Sequence, residues 1–235
     1  MVNSTMAPLG ILSLESGVPQ AERGTDTHAD SVFNPETFNF PVIYEVVPEA
    51  WVDRVLPGDP SLEEGYVSAA KRLVQRGAIA LVGDCGFTIR YQAAVAAAVE
   101  VPVAMSCLLL APMLLRQIPP SGKLAVVTAD SNHCTSDLLG IRDGSDRARI
   151  VIGGVEGGVM WQNEMRRPAR PTSVSEIKAD VTACVTRLRD ACPDTAAILL
   201  ECTLFPTITP ELKRQTGLPI YDTATLYRMT YGSVG

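Results

Sequence analysis

Along most of the chain, short runs of Val, Ile, Leu and Ala that close on Gly, Asp, Ser or Thr alternate with longer stretches whose apolar positions recur every three or four residues. Continuous apolar runs suit strands buried on both faces of a parallel sheet, and the 3.6-residue period suits helices that cover those faces. The pattern predicts strands over residues 9–14, 42–47, 78–82, 103–106, 124–128, 149–153, 196–200 and 218–221. Helices are predicted over 62–76, 89–99, 111–117, 174–191 and 210–216. Strands and helices that alternate in this way define an α/β protein with parallel sheets.

The pattern also repeats. Ala78-Ile79-Ala80-Leu81-Val82-Gly83-Asp84-Cys85 runs through a helix to Val101-Pro102-Val103, and Ala196-Ala197-Ile198-Leu199-Leu200-Glu201-Cys202 runs through a helix to Leu218-Pro219-Ile220. Each cysteine stands 17 positions before its proline, so both landmarks shift by 117. The opening runs Leu9-Gly10-Ile11-Leu12 and Leu124-Ala125-Val126-Val127 shift by 115. Two homologous halves follow, with a first lobe over residues 1–112 and a second over 113–221.

Bulk properties narrow the partners. With 46% hydrophobic and 20% charged residues among 235, the chain is long enough to bury a core of its own. Its net charge is −6, its pI is about 5.0 and its basic residues are scattered, so a nucleic-acid partner is not expected. The longest apolar stretch, 93–115, is broken by Glu100, Pro102 and Pro112, so no membrane span is expected. Residues 1–8 lack the basic and apolar regions of a secretion signal, which makes the cytoplasm the expected location and free thiols the expected state of the cysteines. The expected partner is a small molecule, and homo-oligomerisation is left open.

The six cysteines at 85, 107, 134, 184, 192 and 202 contain no C-x-x-C pair, and the chain has only two histidines, His28 and His133. That is a poor ligand set for zinc, so no metal and no cofactor is expected. Cys85 and Cys202 stand apart from the other four because they occupy matching positions at carboxyl ends of strands, where open α/β sheets bind ligands. There the first N–H groups of the following helix favour both a thiolate and a bound carboxylate. Cys107, Cys134, Cys184 and Cys192 read as small buried hydrophobes.

The motifs Gly83-Asp84-Cys85-Gly86-Phe87 and Glu201-Cys202-Thr203, with the weaker Glu15-Ser16-Gly17 after the opening strand, resemble the aspartate/glutamate racemase superfamily. Hydantoin racemases, maleate isomerases, arylmalonate decarboxylases and an algal type of dimethylsulfoniopropionate lyase belong to the same group. The resemblance implies two pseudo-symmetric flavodoxin-like lobes, an active site in the cleft between them, and a C-terminal segment, 222–235, that crosses back to the first lobe. It implies cofactor-independent acid–base chemistry, in which one cysteine takes a proton from a carbon next to a carboxylate or carbonyl and the other returns one from the opposite face. A racemase or epimerase is thus the first expectation. A lyase of the same group, by elimination or by malonate decarboxylation, is the second, and a non-catalytic binding protein of the same shape is the third. Glutamate racemases follow the two cysteines with Asn-Thr and Thr-His, whereas Gly86-Phe87 and Thr203-Leu204 stand here, which favours a bulkier or less charged ligand than glutamate.

Catalysis is accordingly assigned to Cys85 and Cys202, and substrate binding to Ser16, Gly86, Phe87, Thr128, Ser131 and Thr203. The hydroxyls lie after strands, and the backbone N–H groups after each cysteine could hold an enolate-like oxygen. Asp84 and Glu201 should point away from the ligand, because side chains alternate along a strand. His133 reads as a surface or capping residue. The Gly153-to-Gly158 run lacks phosphate-loop spacing and reads as a loop at the cleft edge. Residues 33–41 read equally as a lid or as a packed connection.

Overall fold

The computed structural model describes residues 6–17 and 26–235. One sheet joins β1 (Leu9–Ser13), β2 (Val42–Val46), β3 (Ala80–Gly83) and β4 (Val103–Ala104) in the order β2-β1-β3-β4. A second joins β5 (Lys123–Thr128), β6 (Ile150–Gly154), β7 (Thr195–Leu200) and β8 (Ile220–Tyr221) in the order β6-β5-β7-β8. Every pair is parallel. All eight strands fall where the apolar runs predict them, with ends displaced by at most two residues.

The two sheets have the same strand order, and the duplication extends to single hydrogen bonds. Leu81 donates its N–H to Pro102 and Ile198 donates to Pro219; Asp84 donates to Leu12 and Glu201 to Val127. These pairs are related by the shifts of 117 and 115 read from the sequence, so the chain consists of two pseudo-symmetric α/β lobes.

Helices α1 (Val52–Val55), α2 (Glu63–Gln75) and α3 (Gln92–Ala98) follow strands of the first sheet. A Cβ at Gly10 would lie 2.6 Å from Leu81 and 3.2 Å from Leu73, so the bare glycine lets α2 settle close on β1. After β4 comes α4 (Ala111–Gln117), which packs against β5 of the other sheet. The second lobe continues with α5 (Gly144–Arg147), α6 (Val159–Glu164), α7 (Val174–Ala191) and α8 (Thr209–Thr216). A capping box between Ser173 and Glu176 starts α7, and Gly217 in the left-handed region ends α8. Last, α9 (Thr223–Gly232) packs on β3 and β4 of the first lobe, where Tyr227 Oη donates to the Gly83 carbonyl at 2.8 Å. The lobes thus exchange their last helices, α4 one way and α9 the other.

The core follows from strand alternation. Leu124, Val126, Ala197 and Leu199 face the first lobe and join its core, while Ala125, Val127, Ile198 and Leu200 face α7 and α8 in a second cluster. One continuous apolar core therefore holds the two lobes together. Among the described residues no helix is long and apolar enough to cross a membrane.

Candidate active site

β3 ends at Gly83 and β7 at Leu200, and in each case the second residue beyond the end is a cysteine: Cys85, in extended geometry, leads directly into the 3₁₀ turn Gly86–Tyr91, and Cys202 leads through Thr203 and Leu204 into the 3₁₀ turn Phe205–Ile208. Parallel strands deliver both thiols to the same side of the molecule. Cys85 and Cys202 both line one cavity of about 550 Å³ between the lobes. Thr203 Oγ1 donates to the Asp84 carbonyl, and so ties the second cysteine turn to the residue before the first cysteine.

Each thiol is partly open to the cavity and otherwise enclosed. Enclosure pushes the Cys85 pKa well above the usual thiol range, and the negative charges of Glu201, Cys202 and Asp84 add to it, against one backbone N–H at Phe87. Cys202 is pushed the same way by burial first, then by Glu201, with Glu164 and Cys107 adding and the Leu204 N–H opposing. This corrects the expectation that the turns after the cysteines would lower their pKa. The short 3₁₀ turns supply one amide each, and desolvation together with surrounding anions outweighs it.

Of the residues assigned to substrate binding, Ser16 and Thr203 reach the cavity wall. The other four do not line it. Phe87 is fully buried in the core, Gly86 packs against the Glu201 carboxylate, and the Thr128 hydroxyl donates to Glu201 Oε2 at 2.8 Å. The Ser131 hydroxyl and backbone N–H both turn to Glu156, in the glycine-rich run. The other four cysteines include three buried ones, Cys107, Cys134 and Cys184. His133 lies half-exposed, 3.3 Å from Asp130.

Asp84 and Glu201 part company. Glu201 is 1% exposed and off the wall, as expected, whereas Asp84 contributes to the wall while its Oδ1 accepts the Leu14 N–H at 2.9 Å. Both residues lie one position beyond the end of their strands, β3 and β7, so pleat alternation fixes neither direction and the partners each finds decide it.

Several wall residues escape sequence reasoning. Met160, Trp161 and Glu164 come from α6, and Arg170 follows on the segment after it. The α6 helix has six residues and its Met160 N–H is capped by Asp180 of α7 at 2.9 Å, so no local cap announces it. Burial, with Asp84 second, raises the Glu164 pKa to about 7. Phe33 also lies on the wall, while Phe38 packs at a tilt on Tyr227 and Phe40 stacks on Tyr231 of α9, so the 33–41 segment is a packed connection with one aromatic at the cleft.

The same architecture occurs in solved enzymes: the fold is that of the aspartate/glutamate racemases and arylmalonate decarboxylase. Arylmalonate decarboxylase matches 97% of this chain and 94% of its own with a TM-score of 0.56 at 18% identity. Glutamate racemase from Francisella tularensis matches 97% and 80% with a TM-score of 0.60 at 12% identity. By sequence, the chain is similar to a dimethylsulfoniopropionate lyase of Durusdinium sp. clade D, 29% identical over 202 residues, 81% of this chain and 65% of that protein. It is 30% identical to dimethylsulfoniopropionate lyase 5 of Emiliania huxleyi over 179 residues, 71% of this chain and 36% of that protein. The chain therefore spans between about one third and two thirds of the length of these relatives. No protein-family model matches it.

Proposed function

We propose that the protein is a lyase that removes a proton from the carbon next to a carboxylate with a cleft cysteine and expels a leaving group from the neighbouring carbon. The observation that carries the reading is the pair Cys85 and Cys202, which stand just beyond matching strand ends and line one cavity. The lyase outcome draws on the names of the sequence relatives and on the charge of the cavity. Among the described residues, Asp26, Asp84 and Glu164 line it together with the cation Arg170, and the Trp161 ring lies on the same wall. Carboxylates beside an aromatic ring suit a cationic group, while Arg170 suits a carboxylate. A small sulfonium carboxylate such as dimethylsulfoniopropionate carries both charges.

In this scheme a thiolate takes the α-proton, the C–H electrons form the new carbon–carbon double bond, and the C–S bond breaks with its electrons on sulfur. Neutral dimethyl sulfide leaves and acrylate remains, so the leaving group needs no proton. The substrate's positive charge also answers the anionic surroundings of the thiols, because a cation in the cavity favours the thiolate over the thiol.

Incubation with dimethylsulfoniopropionate and measurement of released dimethyl sulfide tests the reading. Release that is lost when both cysteines are changed to serine is the expected result. The second reading, a racemase, is favoured by one observation, that each half supplies its own thiol. No sulfide release, together with inversion and solvent deuterium uptake at a chiral α-carbon, would establish it and overturn the lyase.

A further inference from the structure

We propose that Glu201 is the control charge of the thiol pair: a positioning residue, seated between the two cysteine turns, whose carboxylate suppresses both thiolates and whose neutralisation releases them. The proposal rests on the reading of Cys85 and Cys202 as the working groups and adds what sets their ionisation.

The geometry is that of a bridge between lobes. Glu201 belongs to the second lobe, where Oε2 is held by the Thr128 hydroxyl at 2.8 Å and the Ala129 N–H at 3.1 Å. Its other oxygen reaches into the first lobe, against the residue after Cys85. A Cβ on Gly86 would fall 1.9 Å from Oε1, so the glycine leaves room for the carboxylate. Oε1 is fully enclosed there with no hydrogen bond of good geometry, although the Gly86 amide still favours its charge. A buried carboxylate oxygen without a firm donor is costly to keep, and its placement one residue from each thiol gives that cost a use.

The arrangement is not repeated in the other half. The counterpart of Glu201 is Asp84, shorter by one methylene, which takes the Leu14 N–H where Glu201 takes that of Ala129. Ser13, the counterpart of Thr128, has a buried hydroxyl with no partner. Thr203 occupies the position of Gly86 and closes the space with its own hydroxyl bond. The second lobe thus sends the longer Glu201 carboxylate across to the Cys85 turn, while the shorter Asp84 carboxylate stands on the cavity wall. Around Glu201 stand Asp130 and Cys134 beyond β5, Cys107 before α4, and Cys85 and Cys202 themselves. Asp84 and Glu164 face the thiols from β3 and α6, and the cation Arg90 acts on Cys134. Glu201 is the strongest charge acting on Cys85 and on Cys202, and both are pushed the same way.

The test reads the thiols without turnover. Iodoacetamide labelling of Cys85 and Cys202 is followed by peptide mass spectrometry across pH in the full chain, in Glu201→Gln and in Asp84→Asn. In Glu201→Gln the labelling midpoints of both cysteines move down by about one pH unit or more, which is about tenfold faster labelling on the rising limb. In Asp84→Asn the shift is confined to Cys85. If Glu201→Gln folds with both midpoints unmoved, or if Asp84→Asn accelerates both thiols equally, the assignment to Glu201 is overturned. Should Glu201→Gln not fold, Thr128→Val removes a donor from the carboxylate, raises its pKa and speeds labelling of both thiols at neutral pH; unchanged labelling there overturns the proposal as well. Shifted labelling without dimethyl sulfide release would sink the lyase reading alone, and release with unshifted labelling would sink this one alone.

Discussion

A thiol that is to take a proton from carbon must first lose its own, and the surroundings of Cys85 and Cys202 oppose that loss through burial and through anions. Elimination needs one base, and inversion needs two. Under the lyase reading, Cys85→Ser and Cys202→Ser therefore differ: the variant lacking the base loses about 10²–10⁴-fold in sulfide release, and the other keeps a measurable fraction. Equal and complete loss in both, measured by headspace dimethyl sulfide, points to a two-base reaction. Glu164 lends itself to a second test. Its pKa is raised to about 7 by burial and by Asp84, so it is half protonated near neutrality, and only its charged form attracts a cation. KM for a sulfonium substrate should fall as pH rises through about 7 in the parent enzyme, and Glu164→Gln should have a KM about tenfold higher with that pH dependence gone. A KM that is flat with pH in both would remove Glu164 from substrate binding.

At the scale of elements, the parts legible in the sequence are those whose neighbours in space are close in the chain pattern. Buried parallel strands need unbroken apolar runs, and α7 carries its own capping box, so these elements declare themselves locally. The turn after Cys85 is 3₁₀ where a helix is predicted from residue 89, and α3 begins only at Gln92. α6 and α9 were not legible as helices. α6 is one and a half turns long and is capped from α7, and α9 contains three threonines and two tyrosines, weak helix formers held in place by packing on the first lobe. The segment after α6 shows how such an element matters. Arg167 spans the cleft to Asp53 through two contacts of 2.6 and 2.7 Å and lies 4.9 Å over the Trp51 ring, while the Ala169 N–H donates to Ser16. The ion pair is exposed, so Arg167→Ala should cost less than about 1 kcal/mol of stability. The segment also carries Arg170 to the cavity, so the same variant should raise KM several-fold with little change in kcat. A loss of thermal stability that accounts for the whole effect on rate would show that the segment is structural only.

For the molecule as a whole, the duplication read from Cys85, Pro102, Cys202 and Pro219 is legible because equal spacings place equal hydrogen bonds, whereas the cavity's chemistry is not, because it lies where the halves differ. Phe87 and Thr128, assigned to the ligand by position in the chain, face the core and Glu201 instead, and Glu164 arrives from an element without a counterpart among the predicted helices. The halves' asymmetry also sets how stability responds to pH. Glu164 and Glu201 both have pKa values raised by burial from an ordinary 4.5 to about 7. An acid that holds its proton more tightly when folded binds more protons in the native state, so stability falls as pH rises between the two values, by up to about 1.4 kcal/mol per pH unit for each group. The exposed carboxylates Asp59, Asp143, Glu176 and Glu211 have lowered pKa values and act oppositely, with stability lost only as pH drops below the ordinary carboxylate range. The melting temperature should accordingly peak near pH 5 and decline towards pH 7 and above, and Glu201→Gln should flatten that decline while leaving the acid side unchanged. Calorimetry across this range that finds the parent protein equally stable at pH 5 and pH 7.5 would mean that the two buried carboxylates are not held protonated by the fold.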